Sequence, residues 1–314
     1  MPERRDFFRR TREMMERYEQ GDYAGALALT RQVAAEFPEQ YGRTCFWKIC
    51  LLTRTKEIPA ALKVLAEALD AGWWWSEMQL RRDPDLEPLQ GLAEFERLVM
   101  LSEQKHAAAQ ATVRPEMLVR EPPVGTARPS PLLIALHGQG GTAEADLSLW
   151  EKACSRGWIV AALQSAQLAW PGAYAWDDQE KARDQVLAQF ESLCTGYPVD
   201  RSRVIVGGFS QGGALAMRLA LTGSLPARGF LSIVPGMIEQ ELLTEWAGAR
   251  REVPVRGYIV AGGRDPRYGF FQQACETLPQ HGVPCRMEDH PEMAHEFPPD
   301  FEHSLDEALG FILA

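Results

Sequence analysis

Long apolar runs are missing from this 314-residue sequence, and none approaches the roughly 20 residues that a membrane-crossing helix needs. No membrane span is therefore expected. Cysteine is sparse and unpatterned: Cys45, Cys50, Cys154, Cys194, Cys275 and Cys285 form no C-x-x-C pair and no zinc-finger spacing. In a chain this large and expected to be unsecreted, they read as buried free thiols rather than disulfides or metal ligands. Met1–Arg10 is charged and has none of the apolar core of a signal peptide, so the expected location is cytoplasmic. Positive charge is also in deficit, with 33 Lys and Arg against 43 Asp and Glu and a net charge of −10. That balance argues against nucleic acid or an anionic membrane surface as the main partner. What is present, 46% hydrophobic and 24% charged residues, suits an ordinary globular chain of two domains.

Residues 5–100 carry helical periodicity and almost no strand signal. Gly21-Asp22-Tyr23 leads into Ala26, and Pro38 closes the unit. Thirty-five residues after Ala26, Ala61 opens a similar helix to Leu69, with Leu65 and Ala68 on one face. The spacing resembles a tetratricopeptide repeat, whose period is about 34, although Glu13, Met14 and Arg17 depart from its pattern. A third helical stretch follows Trp73-Trp74-Trp75, with Asp83-Pro84 as its start and Leu89, Leu92, Phe95 and Leu98 as its apolar face. Two such units cannot bury their own faces. The region is expected to lean on its third segment, on the second domain or on another chain. It reads either as a module for a protein partner or self-association, or as an appendage whose Trp cluster is core. Nothing in it supplies chemistry.

Composition shifts after residue 102, placing a helical domain at 1–105 and a second domain at 106–314. Beyond a possible strand at Met117–Val119, apolar strands are expected at Leu132–Leu136, Trp158–Leu163, Val204–Val206, Phe230–Val234 and Val255–Val260. The segments 143–156, 177–194, 211–222, 237–249 and 266–279 between them read as helices. Continuous apolar strands alternating with helices predict an α/β fold, a mostly parallel sheet covered on both faces. Ligands in such sheets bind outside the carboxyl ends of the strands.

Four motifs sit at or near such ends. Gly208-Phe209-Ser210-Gln211-Gly212-Gly213 follows an apolar strand and opens a helix. A G-x-S-x-G turn holds its serine in a strained conformation, and the two glycines remove side chains where strand and helix nearly touch. Ser210 therefore reads as a nucleophile. Leu136-His137-Gly138-Gln139-Gly140-Gly141 is the second motif, and Gly138–Ala143 also satisfies the dinucleotide pattern G-x-G-x-x-A. That reading wants an acidic residue ending the next strand, where Gln164-Ser165 stand instead. A His-Gly-x-Gly loop that brings the Gln139 N–H beside the nucleophile, to pair with the Gln211 N–H as an oxyanion hole, fits better. Asp265, after Ala261-Gly262-Gly263-Arg264, can orient an imidazole, although Asp before Pro266 is also a good helix cap. His295, in the loop before a final helix at Asp300–Leu313, completes the order Ser, Asp, His, with His290 as its rival.

These residues resemble the α/β-hydrolase superfamily. The hexapeptide around Ser210, the 136–140 loop and His295-Glu296-Phe297 are similar to the phospholipase/carboxylesterase branch, which includes acyl-protein thioesterases. The resemblance spans residues 112–314. It implies a serine esterase or thioesterase needing neither metal nor cofactor, acting on a small-molecule ester or thioester through Ser210, Asp265 and His295. The minimal members lack a helical N-terminal domain, and their acid-bearing turn does not usually run Asp265-Pro266-Arg267-Tyr268. Loop 165–176, with Trp170, Tyr174 and Trp176, is the candidate substrate wall, or else aromatic core. Two other readings stand beside the esterase: a peptidase of the same superfamily, and a helical-repeat binding protein with an inactive hydrolase half.

Overall fold

A computed structural model describes the backbone of residues 2–314 and the side chains of residues 7 and 10–314. Met1, where the reading of the N-terminal segment begins, lies outside the described residues. The chain divides into two compact units, Met1–Val113 with Leu168–Ala173, and Arg114–Gln167 with Tyr174–Ala314.

The first unit is built on helices α1 (Pro2–Glu19), α2 (Tyr23–Glu36), α3 (Tyr41–Arg54), α4 (Ile58–Asp70), α5 (Glu77–Arg82) and α6 (Ala93–Gln110). Gly21 turns the chain at a φ of 79°, and Asp22 caps α2 by accepting the Gly25 N–H at 2.9 Å. Capping satisfies a donor that the helix itself leaves unpaired. Ala26, Ala61, Leu65 and Ala68 are buried, as their spacing requires. The third helix begins later than expected. Asp83-Pro84 starts a 3-10 turn over Pro84–Leu89, Gly91 breaks the chain at a φ of 79°, and α6 opens at Ala93. The helix then runs through residue 105 to Gln110. Trp74 and Trp75 are core: Trp75 donates its indole N–H to the Gly42 carbonyl and exchanges backbone hydrogen bonds with the Ser102 hydroxyl.

In the second unit, β1 (Glu116–Arg120) and β2 (Ser130–Leu136) precede α7 (Ala143–Trp150). Then come β3 (Ile159–Gln164), a hairpin of β4 (Gln167–Trp170) and β5 (Ala173–Ala175), and α8 (Gln179–Gly196). The chain continues through β6 (Val199–Phe209), α9 (Gln211–Leu221), β7 (Gly229–Ile233), α10 (Gln240–Gly248), β8 (Arg256–Gly262), α11 (Tyr268–Gln280), β9 (Cys285–His290) and α12 (Phe301–Leu313). Seven strands form one sheet in the order β1-β3-β2-β6-β7-β8-β9, with β1 antiparallel to β3 and the rest parallel. Every residue of β2, β3 and β7 is buried. Since successive side chains point to opposite faces, both faces of the sheet are covered. The hairpin was not foreseen, because Gln167–Ala175 read as a loop. Its tip groups with the helical unit, where Ala169 accepts the Ser76 N–H and the Gln110 side chain accepts the Leu168 N–H. Among the described residues no helix is long and apolar enough to cross a membrane.

Candidate active site

Strand β6 ends at Phe209, and Ser210 turns the chain at φ 53° and ψ −118°, a region that a side chain rarely adopts. Hydrogen bonds hold that turn. The Ser210 N–H donates to the Ile233 carbonyl at 3.0 Å, while the Ser210 carbonyl accepts the Gly236 and Ala214 N–H groups at 2.8 and 3.0 Å. The glycines are sterically required: a Cβ on Gly208 would lie 2.4 Å from the Gly212 backbone, and one on Gly212 would lie 2.2 Å from the Leu136 carbonyl oxygen. Helix α9 starts at Gln211, so its first N–H groups and positive dipole end face the serine.

The loop after β2 lies beside this elbow because Leu136 pairs with Gly208 in the sheet. His137 is wholly buried and orders it. Its Nδ1–H donates to the Gly138 carbonyl at 2.8 Å, which leaves Nε2 to accept the Ser165 N–H at 3.2 Å and the Gln164 amide at 3.1 Å. That network fixes the Nδ1–H tautomer and engages both ring nitrogens in holding the loop. Gly140 adopts a φ of 71° and donates to the Tyr174 carbonyl at 2.7 Å. Gln139 is exposed at the tip of this loop. The Gln211 side chain is pinned too, accepting the Trp176 N–H and donating to Asp177, both at 2.8 Å.

The aromatics expected as a substrate wall are mostly packing residues. Trp176 is wholly buried, stacks on His137 at 5.0 Å and donates its indole N–H to the His137 carbonyl. Trp170 packs within the helical unit, its ring so close to Gly42 that a Cβ there would lie 2.3 Å away. Tyr174 alone of the three is partly exposed.

On the other side of Ser210, three side chains meet. His295 Nε2 lies 2.8 Å from Ser210 Oγ, and His295 Nδ1 lies 2.6 Å from Asp265 Oδ2. His290, the rival, sits 2.7 Å from Glu288 instead. Glycine again makes room: a Cβ on Gly262 would lie 2.5 Å from the Ala294 carbonyl oxygen, and one on Gly263 would lie 2.7 Å from Pro291. The ring of Phe209 lies 5.0 Å from that of His295 and stacks on Phe297, giving the imidazole an apolar flank.

Arg267 was not foreseen. Its Nε and Nη2 reach Asp265 at 2.8 and 3.2 Å, its backbone N–H adds a bond at 2.9 Å, and Nη2 stands 2.7 Å from His295 Nδ1. Asp265 is almost wholly buried, and that burial raises its pKa. The bonds and charges of His295, and then of Arg267, outweigh the burial and hold the carboxyl below the ordinary aspartate range. The signal was present in the sequence as a cation beside the amino end of an expected helix, which the dipole disfavours unless an anion is near.

Among the described residues one group of potential metal ligands stands out, Cys50, Asp83 and Asp85 in the helical unit, with ligand atoms within 4.8 Å of one another. Asp85 is engaged by the Tyr18 hydroxyl at 2.8 Å and by Arg54 at 3.6 Å.

Comparison with known proteins agrees with this architecture. Residues 165–310, which include Ser210, Asp265 and His295, match the Phospholipase/Carboxylesterase family model, and residues 7–110 match the model of an A/B hydrolase-like N-terminal domain. The region where a tetratricopeptide spacing was noted is thus the one matched by the latter. No curated protein matches the sequence at a significant level. An uncharacterised protein from Bacillus cereus ATCC 10987 shares the fold over 97% of this chain and 98% of its own, at 22% identity and a TM-score of 0.55. Esterase PE8 covers 64% of this chain and 99% of its own, at 19% identity and a TM-score of 0.52. S-formylglutathione hydrolase (FrmB) from Staphylococcus aureus covers 64% and 93%, at 16% identity and a TM-score of 0.50.

Proposed function

We propose that this chain is a carboxylic ester hydrolase of the phospholipase/carboxylesterase kind, whose family model matches residues 165–310, and that it works through an acyl-enzyme on Ser210, His295 and Asp265. The observation that carries the proposal is the unbroken run of contacts from Ser210 Oγ to His295 Nε2 at 2.8 Å and from His295 Nδ1 to Asp265 Oδ2 at 2.6 Å.

His295 takes the serine proton as Oγ attacks the carbonyl carbon of an ester or thioester. Asp265 stays ionised, holds the Nδ1–H tautomer and stabilises the imidazolium that forms. The backbone N–H groups of Gln139 and Gln211 receive the developing oxyanion. Losing one such donor typically costs about 2.7–4 kcal/mol of barrier. His295 then gives its proton to the leaving alcohol or thiol, and a water deprotonated by the same imidazole releases the acid. The substrate is a small-molecule ester or thioester, the site needs no cofactor for these steps, and the cytoplasm is the compartment proposed for it.

The test is fluorophosphonate labelling of the purified full chain alongside p-nitrophenyl ester turnover. Ser210 should be the labelled residue, and Ser210→Ala should lose both labelling and turnover, the latter by roughly 10⁶-fold. Labelling of another residue, or esterase activity that survives in Ser210→Ala, overturns the proposal.

A further inference from the structure

The sequence scatters its six cysteines, but the fold brings two of them together. Cys275 lies on α11 and Cys285 opens β9, and their sulfurs stand 3.2 Å apart. Both side chains are partly exposed, whereas Cys45 and Cys50 are buried within α3. The expectation of buried thiols therefore holds for those two and not for this pair, nor for Cys154 and Cys194, which are also partly exposed. The chain between Cys275 and Cys285 is firmly set. Gly282 turns it at a φ of 73°, the Val283 N–H donates to the Leu278 carbonyl at 3.0 Å, and the Pro284 carbonyl accepts the Gly257 N–H at 2.9 Å. The neighbouring strand makes room for sulfur, because a Cβ on Gly257 would lie 3.1 Å from Cys285 Sγ.

We infer that Cys275 and Cys285 form a dithiol that a small-molecule disulfide oxidises to an intrachain disulfide fastening α11 to β9. The Cys275 thiolate attacks one sulfur of the reagent and expels the first thiolate, leaving a mixed disulfide. Cys285 loses its proton, attacks Cys275 Sγ and expels the second thiolate. Two protein thiols give up two protons and two electrons, and one small disulfide becomes two small thiols. The order of attack follows from the environment: the hydrogen bond from Cys275, then burial, hold the Cys285 thiol well above its ordinary range.

The bridge closes a ring across the elements that carry the acid and the base at their other ends. Cys285 is at the amino end of β9, whereas His295 follows its carboxyl end, about 17 Å away along the strand. Oxidation is therefore expected to stabilise this edge of the sheet without changing turnover.

The experiment incubates the full chain with 2-hydroxyethyl disulfide, alkylates the remaining thiols and maps the peptides by mass. The expected product links the Cys275 and Cys285 peptides and leaves Cys45, Cys50, Cys154 and Cys194 alkylated. The melting temperature should rise by about 5 °C, reversibly with dithiothreitol, at unchanged ester turnover. Cys275→Ser should show neither the link nor the rise. Six alkylated cysteines after incubation, a link to any other cysteine, or a mixed disulfide that never resolves overturns the inference. The mapping on the unaltered chain needs no variant to fold, and it reads independently of whether the hydrolase reading stands.

Discussion

Ser210 has two flanks, and different forces hold them. On one flank, the elbow and the loop after β2 are fixed by close packing and neutral hydrogen bonds, with Gly212 against Leu136 and a buried, uncharged His137. On the other, Arg267 and His295 are fixed around the ionised Asp265, a buried carboxylate whose two partners are only partly buried. The first flank has no room for added volume, and its hydrogen bonds run through backbone groups and an imidazole that both donates and accepts. The second has room for isosteric exchange but is sensitive to every change of charge. A site for acyl transfer needs both, because the oxyanion donors must not move and the proton carrier must change its charge during each turnover.

Asp265→Asn should give the largest separation of the two flanks. The shape survives, but the imidazole loses the partner that sets its tautomer, and kcat should fall by roughly 10⁴-fold with little change in melting temperature. Steady-state kinetics beside a thermal melt measures this, and a collapse of the fold would mean that the ionic flank is structural as well. Gly212→Ala acts on the packed flank. Its Cβ meets the Leu136 carbonyl oxygen, so the elbow must shift, and kcat should fall about 10²–10³-fold together with a clear drop in melting temperature. Normal stability in this variant would show that the flank yields more easily than its packing implies.

Arg267→Met sharpens the comparison on the charged side. The groups facing His295 include Asp265, Arg267 and the Ser210 hydroxyl, and the Arg264–Glu292 pair links the loop after β8 to the loop after β9. Removing the guanidinium makes the imidazole easier to protonate, so the acid limb of the kcat/KM profile should move to higher pH by about half to one unit. Arg267→Lys should restore part of the shift. An unmoved profile would reduce Arg267 to a bystander. The smallest effect concerns stability in acid. Because the Asp265 carboxyl is held below its ordinary range, its contribution to folding is complete above about pH 3.9 and is lost as pH falls through the lower folded value. Acid unfolding followed by circular dichroism should lose that limb in Asp265→Asn.

Much of the α/β unit was legible in the chain because its signals are local. The strands carrying Val204–Val206 and Phe230–Ile233 announce themselves as short apolar runs, and Gly208, Ser210 and Gly212 encode a turn within five residues. The hairpin Gln167–Ala175 was illegible, since short strands alternating with Gly and Pro read as loop until pairing partners exist. In the helical unit the expected start at Asp83-Pro84 gave way to a 3-10 turn, and Gly91 delayed the helix to Ala93. Proline opens either kind of helix equally well, so composition does not separate them.

By itself the sequence determined which residue types stand at which strand ends: a serine on a glycine turn, an acid after Gly262-Gly263 and a histidine thirty residues further on. Tertiary structure alone decided that His295 rather than His290 reaches Ser210, that Arg267 grips the acid and stands beside the imidazole, and that Cys275 meets Cys285. The division is physical. Backbone geometry is set within a few residues, whereas the meeting of side chains from separate elements depends on sheet register and on where glycine leaves space, and neither quantity is written at any one position.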